Sequence, residues 1–236
     1  MQLSPFHTRP RLAQRGVGLI ELMVGITVGL IVTAGAAMVA TKQINEHRRL
    51  MLEVQMQQDL RIAADVLQQD LRRAGFRGQP TDSVWEPERD GGATPAKEAA
   101  SSPFAAASST AAGDQLVYRY AKPTNVTNVL ANNEQYGVRW NKSNNSLEIQ
   151  LGKDNWQPIT DPDTLVIQNF SANIVTQAIP LDDLCGAAGA ATCPKQCVRR
   201  VDFTIKAVSK TDPNVQRTLT FSEKIRADEI AAVCSV

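Results

Sequence analysis

One carboxylate, Glu21, stands alone in the apolar stretch QRGVGLIELMVGITVGLIV at residues 14–32. At mid-bilayer an acid costs about 2.5–3.5 kcal/mol on insertion scales, and less near the interface. An opposite charge in the same low-dielectric layer offsets that cost. The chemistry open to Glu21 is therefore ion pairing. The other reactive set is Cys185, Cys193, Cys197 and Cys234, all in the last quarter of the chain. Cys193 and Cys197 have C-x3-C spacing, but the two histidines, His7 and His47, lie far upstream. A zinc site would need all four thiolates, and an even set without other ligands fits two disulfides better in an oxidising compartment.

Catalytic patterns are missing. The sequence has no Gly-rich phosphate loop, no H-E-x-x-H and no G-x-S-x-G, and no histidine downstream of His47 to act as a general base. The expectation is a non-enzyme with no cofactor and no metal. Asp161 with Asp163, and Asp182 with Asp183, match no EF-hand spacing and read as solvated loop acids. The formal charge of +1 gives no global field for nucleic acid. Lys206, Lys210 and Arg217, with Arg199 and Arg200, form a mild basic cluster, read as a solvated hairpin face.

The elements that position these groups follow from patterning. Residues 1–15 hold His7, Arg9, Arg11 and Arg15 and no acid, a flank that stays cytoplasmic. Val17 to Thr41 is apolar apart from Glu21 and a few threonines, long enough to cross a bilayer as a helix. No A-x-A site follows, so the segment is expected to stay in the mature protein. Gly25 and Gly29 form a GxxxG, which lets apolar helices approach closely. From Lys42 onward Ile44, Met51, Val54, Leu60, Ala63, Ala64, Leu67, Leu71 and Ala74 recur at helical steps. Charged residues, Asp70 among them, fill the other face. With no proline from Val17 to Gln79, one helix is expected to reach about Ala74 and to be capped by Gly75, a length of roughly 85–90 Å.

Residues 79–113 are rich in Ala, Ser, Gly and Pro and read as a long surface loop with little to bury, pinned at most by Trp85 and Phe104. Alternating strands then begin. Residues 135–151 and the C-terminal part around SKTDPN both read as hairpins, and DTLVIQNF is a further strand. One apolar face per strand predicts a sheet covered on one side, with the helix face of residues 44–74 as cover. Cys197 precedes a strand starting near Val198 whose partner ends near Ile225, so Cys197–Cys234 is the favoured staple, leaving Cys185–Cys193. Three connectivities are open.

The residues RGVGLIELMVG resemble the type III signal of type IV pilins and pseudopilins. The resemblance implies cleavage after Gly16 by a prepilin peptidase, N-methylation of Val17 and retention of the apolar helix as anchor and filament core. Val17 stands where phenylalanine is usual. Glu21 takes the position whose carboxylate pairs with an N-terminal amine, its own or a neighbour's, during assembly. Asp-Leu-Arg-x-Ala-Gly-Phe at residues 70–76 resembles PilW-type minor pilins and, less closely, the J-type pseudopilin of type II secretion. The implied fold is the α+β pilin fold, a long N-terminal helix packed by its second half on an antiparallel sheet. The implied organisation is a leader (1–16), a transmembrane and filament-core helix (17–41), an amphipathic helix (42–75), the loop (79–113) and a periplasmic β domain with disulfides (114–236).

The resemblance implies a structural minor pilin in a priming or tip complex for type IV pili, with a J-type pseudopilin or a non-polymerising, membrane-anchored periplasmic binding module as alternatives. Its partners would be other minor pilins, the major pilin, the prepilin peptidase, the inner-membrane assembly platform and, before assembly, membrane lipid, with no nucleic acid. The place would be the inner membrane with the C-terminal domain in the periplasm, then the pilus, at its tip or elsewhere. Mass spectrometry of the mature protein is expected to find Val17 as the N-terminal residue; a terminus at Met1 contradicts the processing.

Overall fold

The computed structural model describes residues 16, 18–80, 102–105, 107–184, 193–231 and 234. The chain divides between Arg48 and Arg49 into two units. A helix, α1 (Leu19–Leu71), begins in the first and ends in the second. Its first turn opens with the Leu22 N–H donating to the Gly18 carbonyl at 3.1 Å. An 18-residue window near its start has mean hydropathy 2.2 and is wholly uncovered. The hydroxyls of Thr27, Thr33 and Thr41 donate to carbonyls one turn back at 2.8–2.9 Å. Internal satisfaction of this kind is what a helix needs where water is absent.

In the second unit Met56, Leu60, Ala63, Ala64, Leu67 and Leu71 form the buried stripe of α1. Their three- and four-residue spacing keeps them on one face. Met56, Leu60, Leu67 and Leu71 enter a single core with Leu116, Tyr118, Val138, Leu147, Ile167, Phe170, Phe203 and Ile205. The covering face starts later than residue 44: Ile44, Met51 and Val54 are more than half exposed. Met51 and Met56 are five residues apart, about 500° of rotation at 3.6 residues per turn, so they lie on opposite sides of the helix. Asp70, expected on the charged face, is buried at 5% exposure.

The strands form two antiparallel sheets where one was expected. The first runs in chain order through β1 (Ser108–Ser109), β2 (Gln115–Arg119), β3 (Gln135–Asn141), β4 (Ser146–Leu151) and β5 (Trp156–Pro158). The second orders β6 (Leu165–Pro180), β7 (Lys195–Ser209) and β8 (Gln216–Lys224), with β9 (Glu229–Ala231) also on β7. Both expected hairpins form, β3 with β4 and β7 with β8. They fall in separate sheets because β5 turns back onto β4, while β6, bulged between Ile167 and Asn169, pairs forward with β7. DTLVIQNF is thus only the start of a 16-residue strand. The SKTDPN turn closes with the Ser209 N–H donating to Val215 O at 2.9 Å.

The loop at 79–113 departs from expectation at its far end. Ser108 and Ser109 are strand, and Phe104, Ala105 and Ala107 are buried. Trp85 lies outside the described residues. Arg199 is also no surface cation: it is 3% exposed, donates to the Ala105 carbonyl and pairs with Glu229 at 3.4 Å. Arg200 pairs with Asp202 at 2.8 Å and Arg217 with Glu53 on α1 at 2.6 Å, so the basic residues are dispersed.

Cys197 lies inside β7, opposite Glu229 of β9, and is bridged to Cys234 with a Cα–Cα distance of 5.4 Å. Cys193 is disulfide-bonded as well; Cys185, its expected partner, lies outside the described residues. The Cys197–Cys234 bridge closes a separation of 37 residues, worth roughly 2–4 kcal/mol through constraint of the unfolded chain. Cys197→Ser is therefore expected to lower the urea midpoint of the detergent-solubilised chain and to steepen the slope, because the unfolded chain loses a cross-link and exposes more surface. An unchanged midpoint would leave the staple without a stabilising role.

Candidate functional site

At the start of α1, Gly16 and Gly18 are exposed, and an added Cβ on either would meet nothing within 4 Å. Glu21 sits in the first helical turn, where a carboxylate is favoured by the positive end of the helix dipole. Leu19, Ile20, Leu22 and Met23 around it are all more than half exposed. Gly25 and Gly29 are one turn apart and equally open, leaving a strip of bare backbone that admits a close neighbouring helix. Val17 lies outside the described residues. Among the described residues Glu21 has no ion-pair partner, and this end of the helix adds an uncovered apolar surface and a close-approach strip, which suit association between helices.

In the second unit the helix end is locked to the first sheet by a buried carboxylate. Asp70 accepts from the Tyr118 hydroxyl at 2.5 Å, the Tyr120 hydroxyl at 2.7 Å and the Arg73 guanidinium at 2.8 Å. Arg73 also lies over the Tyr120 ring, 4.9 Å from its centroid, and Tyr120 stacks on Tyr136 at 3.8 Å. Gly75 follows with φ +81°, and a Cβ there would come within 2.8 Å of the Ala227 Cβ. Its N–H donates to Arg119 O at 2.8 Å, so the turn is fastened to β2 and not only capped. The Asp-Leu-Arg-x-Ala-Gly-Phe residues are the parts of this joint: Asp70 its acceptor, Leu71 and Ala74 buried, Arg72 paired with Glu223 at 2.9 Å.

Burial raises the Tyr118 phenol well above its ordinary pKa, and the adjacent Asp70 carboxylate adds to it. Burial and donation to Asp70 raise Tyr120 likewise, and burial raises Tyr136. Sequence reading missed this joint because Asp70 falls among charged neighbours. The available signal was an acid in the last turn of a helix, where the dipole disfavours it, together with two tyrosines on one face of LVYRY that would need acceptors when buried.

A second buried carboxylate holds the loop between β2 and β3. Glu134 accepts from the N–H groups of Lys122 and Ala131 at 2.8 and 2.9 Å and from the Asn125 amide at 2.6 Å. Burial alone would raise its pKa, but these donors hold it below the usual range. Asp161 is used in a turn, accepting from the Asp163 N–H at 2.9 Å, and Asp182 and Asp183 lie in a short 3-10 turn. Among the described residues no group of three or more His, Cys, Asp or Glu could hold a metal.

Two family models match the chain. One, described as prepilin peptidase-dependent protein B, covers residues 49–225. The other, the prokaryotic N-terminal methylation motif, covers residues 11–37. No curated protein and no solved structure matches it.

The three tyrosines of the chain are Tyr118, Tyr120 and Tyr136, so phenolate absorbance reports on this joint alone. Raised folded-state pKa values mean that the folded chain retains protons the unfolded chain releases near pH 10. Stability is thus full below about pH 10 and falls as pH rises above it. The phenolate signal is expected to appear late and cooperatively, together with unfolding. Gradual ionisation near pH 10 in a folded chain would mean that the ring hydroxyls are not held as described.

Proposed function

The chain belongs to the prepilin peptidase-dependent protein B family, and from that premise we propose that it is a PilW-like structural minor pilin of a type IV pilus. With its N-terminal methylation motif, it is a pilin-like protein processed by a prepilin peptidase, and its apolar N-terminal helix fits a membrane anchor. In the proposed cycle the chain waits in the inner membrane with residues 49–236 in the periplasm. It is cleaved after Gly16 and then joins a complex that initiates the filament or sits at its tip. It performs no catalysis; its work is association.

The observation that carries this reading is Glu21 itself. From Leu19 to Thr41 it is the one polar side chain without a hydrogen bond inside the helix, since the three threonines are satisfied by backbone carbonyls. Cleavage after Gly16 would place a new ammonium at Val17, four residues before it. A carboxylate and an ammonium in a layer without water attract strongly only when both are present and close. Subunits that stack in the correct register would satisfy both charges; misplaced ones would leave an ion unpaired, which is costly.

The motif at residues 70–76 supports the pilus over type II secretion. The same assembly physics serves a J-type pseudopilin, and deletion separates the two: loss of surface pili supports the first reading and loss of secreted enzymes the second. Glu21→Ala is expected to leave processing intact and lower incorporation into filaments by roughly tenfold or more. Undiminished function in that variant would favour an anchored module that does not polymerise.

A further inference from the structure

Beside the helix-to-sheet joint lies an open groove of about 530 Å³. Its base is made of short side chains, Ala74, Ala121 and Ala227, and its walls include Phe76 and Tyr120. Phe76 is 54% exposed although it directly follows the buried Gly75. The backbone holds it out: the Phe76 carbonyl accepts from the Ala121 N–H at 2.9 Å, and its own N–H donates to Arg73 O at 3.0 Å. The base is set by the contact that leaves no room for a side chain at position 75. The groove is thus a fixed feature of the fold.

Three guanidiniums edge it. Arg72 is engaged by Glu223 and Arg73 by Asp70. Arg226 lines the groove and is exposed, and among the described residues its guanidinium has no hydrogen bond or ion pair. Among the described residues no carboxylate lines the groove itself. An apolar cleft with an exposed aromatic wall and an unused guanidinium matches the make-up of an interface core, where aromatic residues and Arg carry most of the energy. Its charge complement is an anion beside an apolar side chain.

We propose that this groove docks a segment of a second filament subunit in which a carboxylate stands next to an aliphatic or aromatic residue. The carboxylate binds Arg226, whose planar fork can take both oxygens. The apolar side chain enters between Phe76 and the alanine base. This names a partner chemistry for the assembly role proposed above and rests on it.

The test is a photo-crosslinking amino acid at position 76 of the full chain, in cells, with adducts mapped by mass spectrometry. The expected adduct is to another pilin-like subunit, at a peptide carrying Asp or Glu beside an apolar residue. Arg226→Glu, a change at an exposed site, is expected to reduce it about tenfold. Replacing the mapped acid by Arg is expected to restore it. An adduct confined to this same chain, an adduct to lipid, no adduct, or one indifferent to Arg226→Glu overturns the proposal. The mature N-terminus is read in the same sample: a terminus at Val17 without the adduct defeats the groove and spares the pilin reading, whereas an unprocessed chain defeats the pilin reading itself.

Discussion

A buried carboxylate needs donors, and in the second unit that need fixes how the helix meets the sheet. Asp70 stands in the last turn of α1, where the negative end of the helix dipole opposes it. The Tyr118 phenol from β2, the Tyr120 phenol just past that strand's end and one guanidinium from the next turn compensate. Tyr118 reaches Asp70 from β2, and Tyr120 reaches it from the position just past the strand's end. Arg73 reaches back because three residues is nearly one turn. The register of β2 and the rotation of α1 are therefore set together, and one helical turn of slippage would leave several polar groups buried without partners.

The same joint shapes the surface next to it. Gly75 turns the chain through a conformation open chiefly to glycine and passes so close to Ala227 that no larger residue fits. Phe76 is consequently carried outward and Arg226 is left at the edge of a cleft. A motif that ends a helix thus also makes a concave surface. The stabilising network and the candidate docking groove share Arg73 and Tyr120, so strain in one would be felt in the other.

The first unit obeys a different rule. From Leu19 to Ile44 its leucines, isoleucines and valines are uncovered, and the hydroxyls of Thr27, Thr33 and Thr41 bond back to the helix's own carbonyls. Such a surface is stable in lipid or against other helices. Glu21 is the exception, and a lone acid in that setting gives the segment a direction and a register that hydrophobicity alone lacks.

Much of this was legible in the residues alone. The apolar run with its single acid, the continuous helix and the two hairpins follow from period, length and the absence of proline, which are local properties of the chain; the Cys197–Cys234 bridge was only the favoured one of three connectivities. The α+β architecture follows from their order. Tertiary structure alone decided which strands share a sheet, because alternation marks a strand's faces but not its neighbour. It also decided the fate of individual charges. Asp70 and Arg199 look like surface residues in sequence, yet each is buried because donors or acceptors distant in the chain converge on it. Local pattern specifies what a segment can be, whereas burial of a charge depends on contacts that exist only once the segments have met.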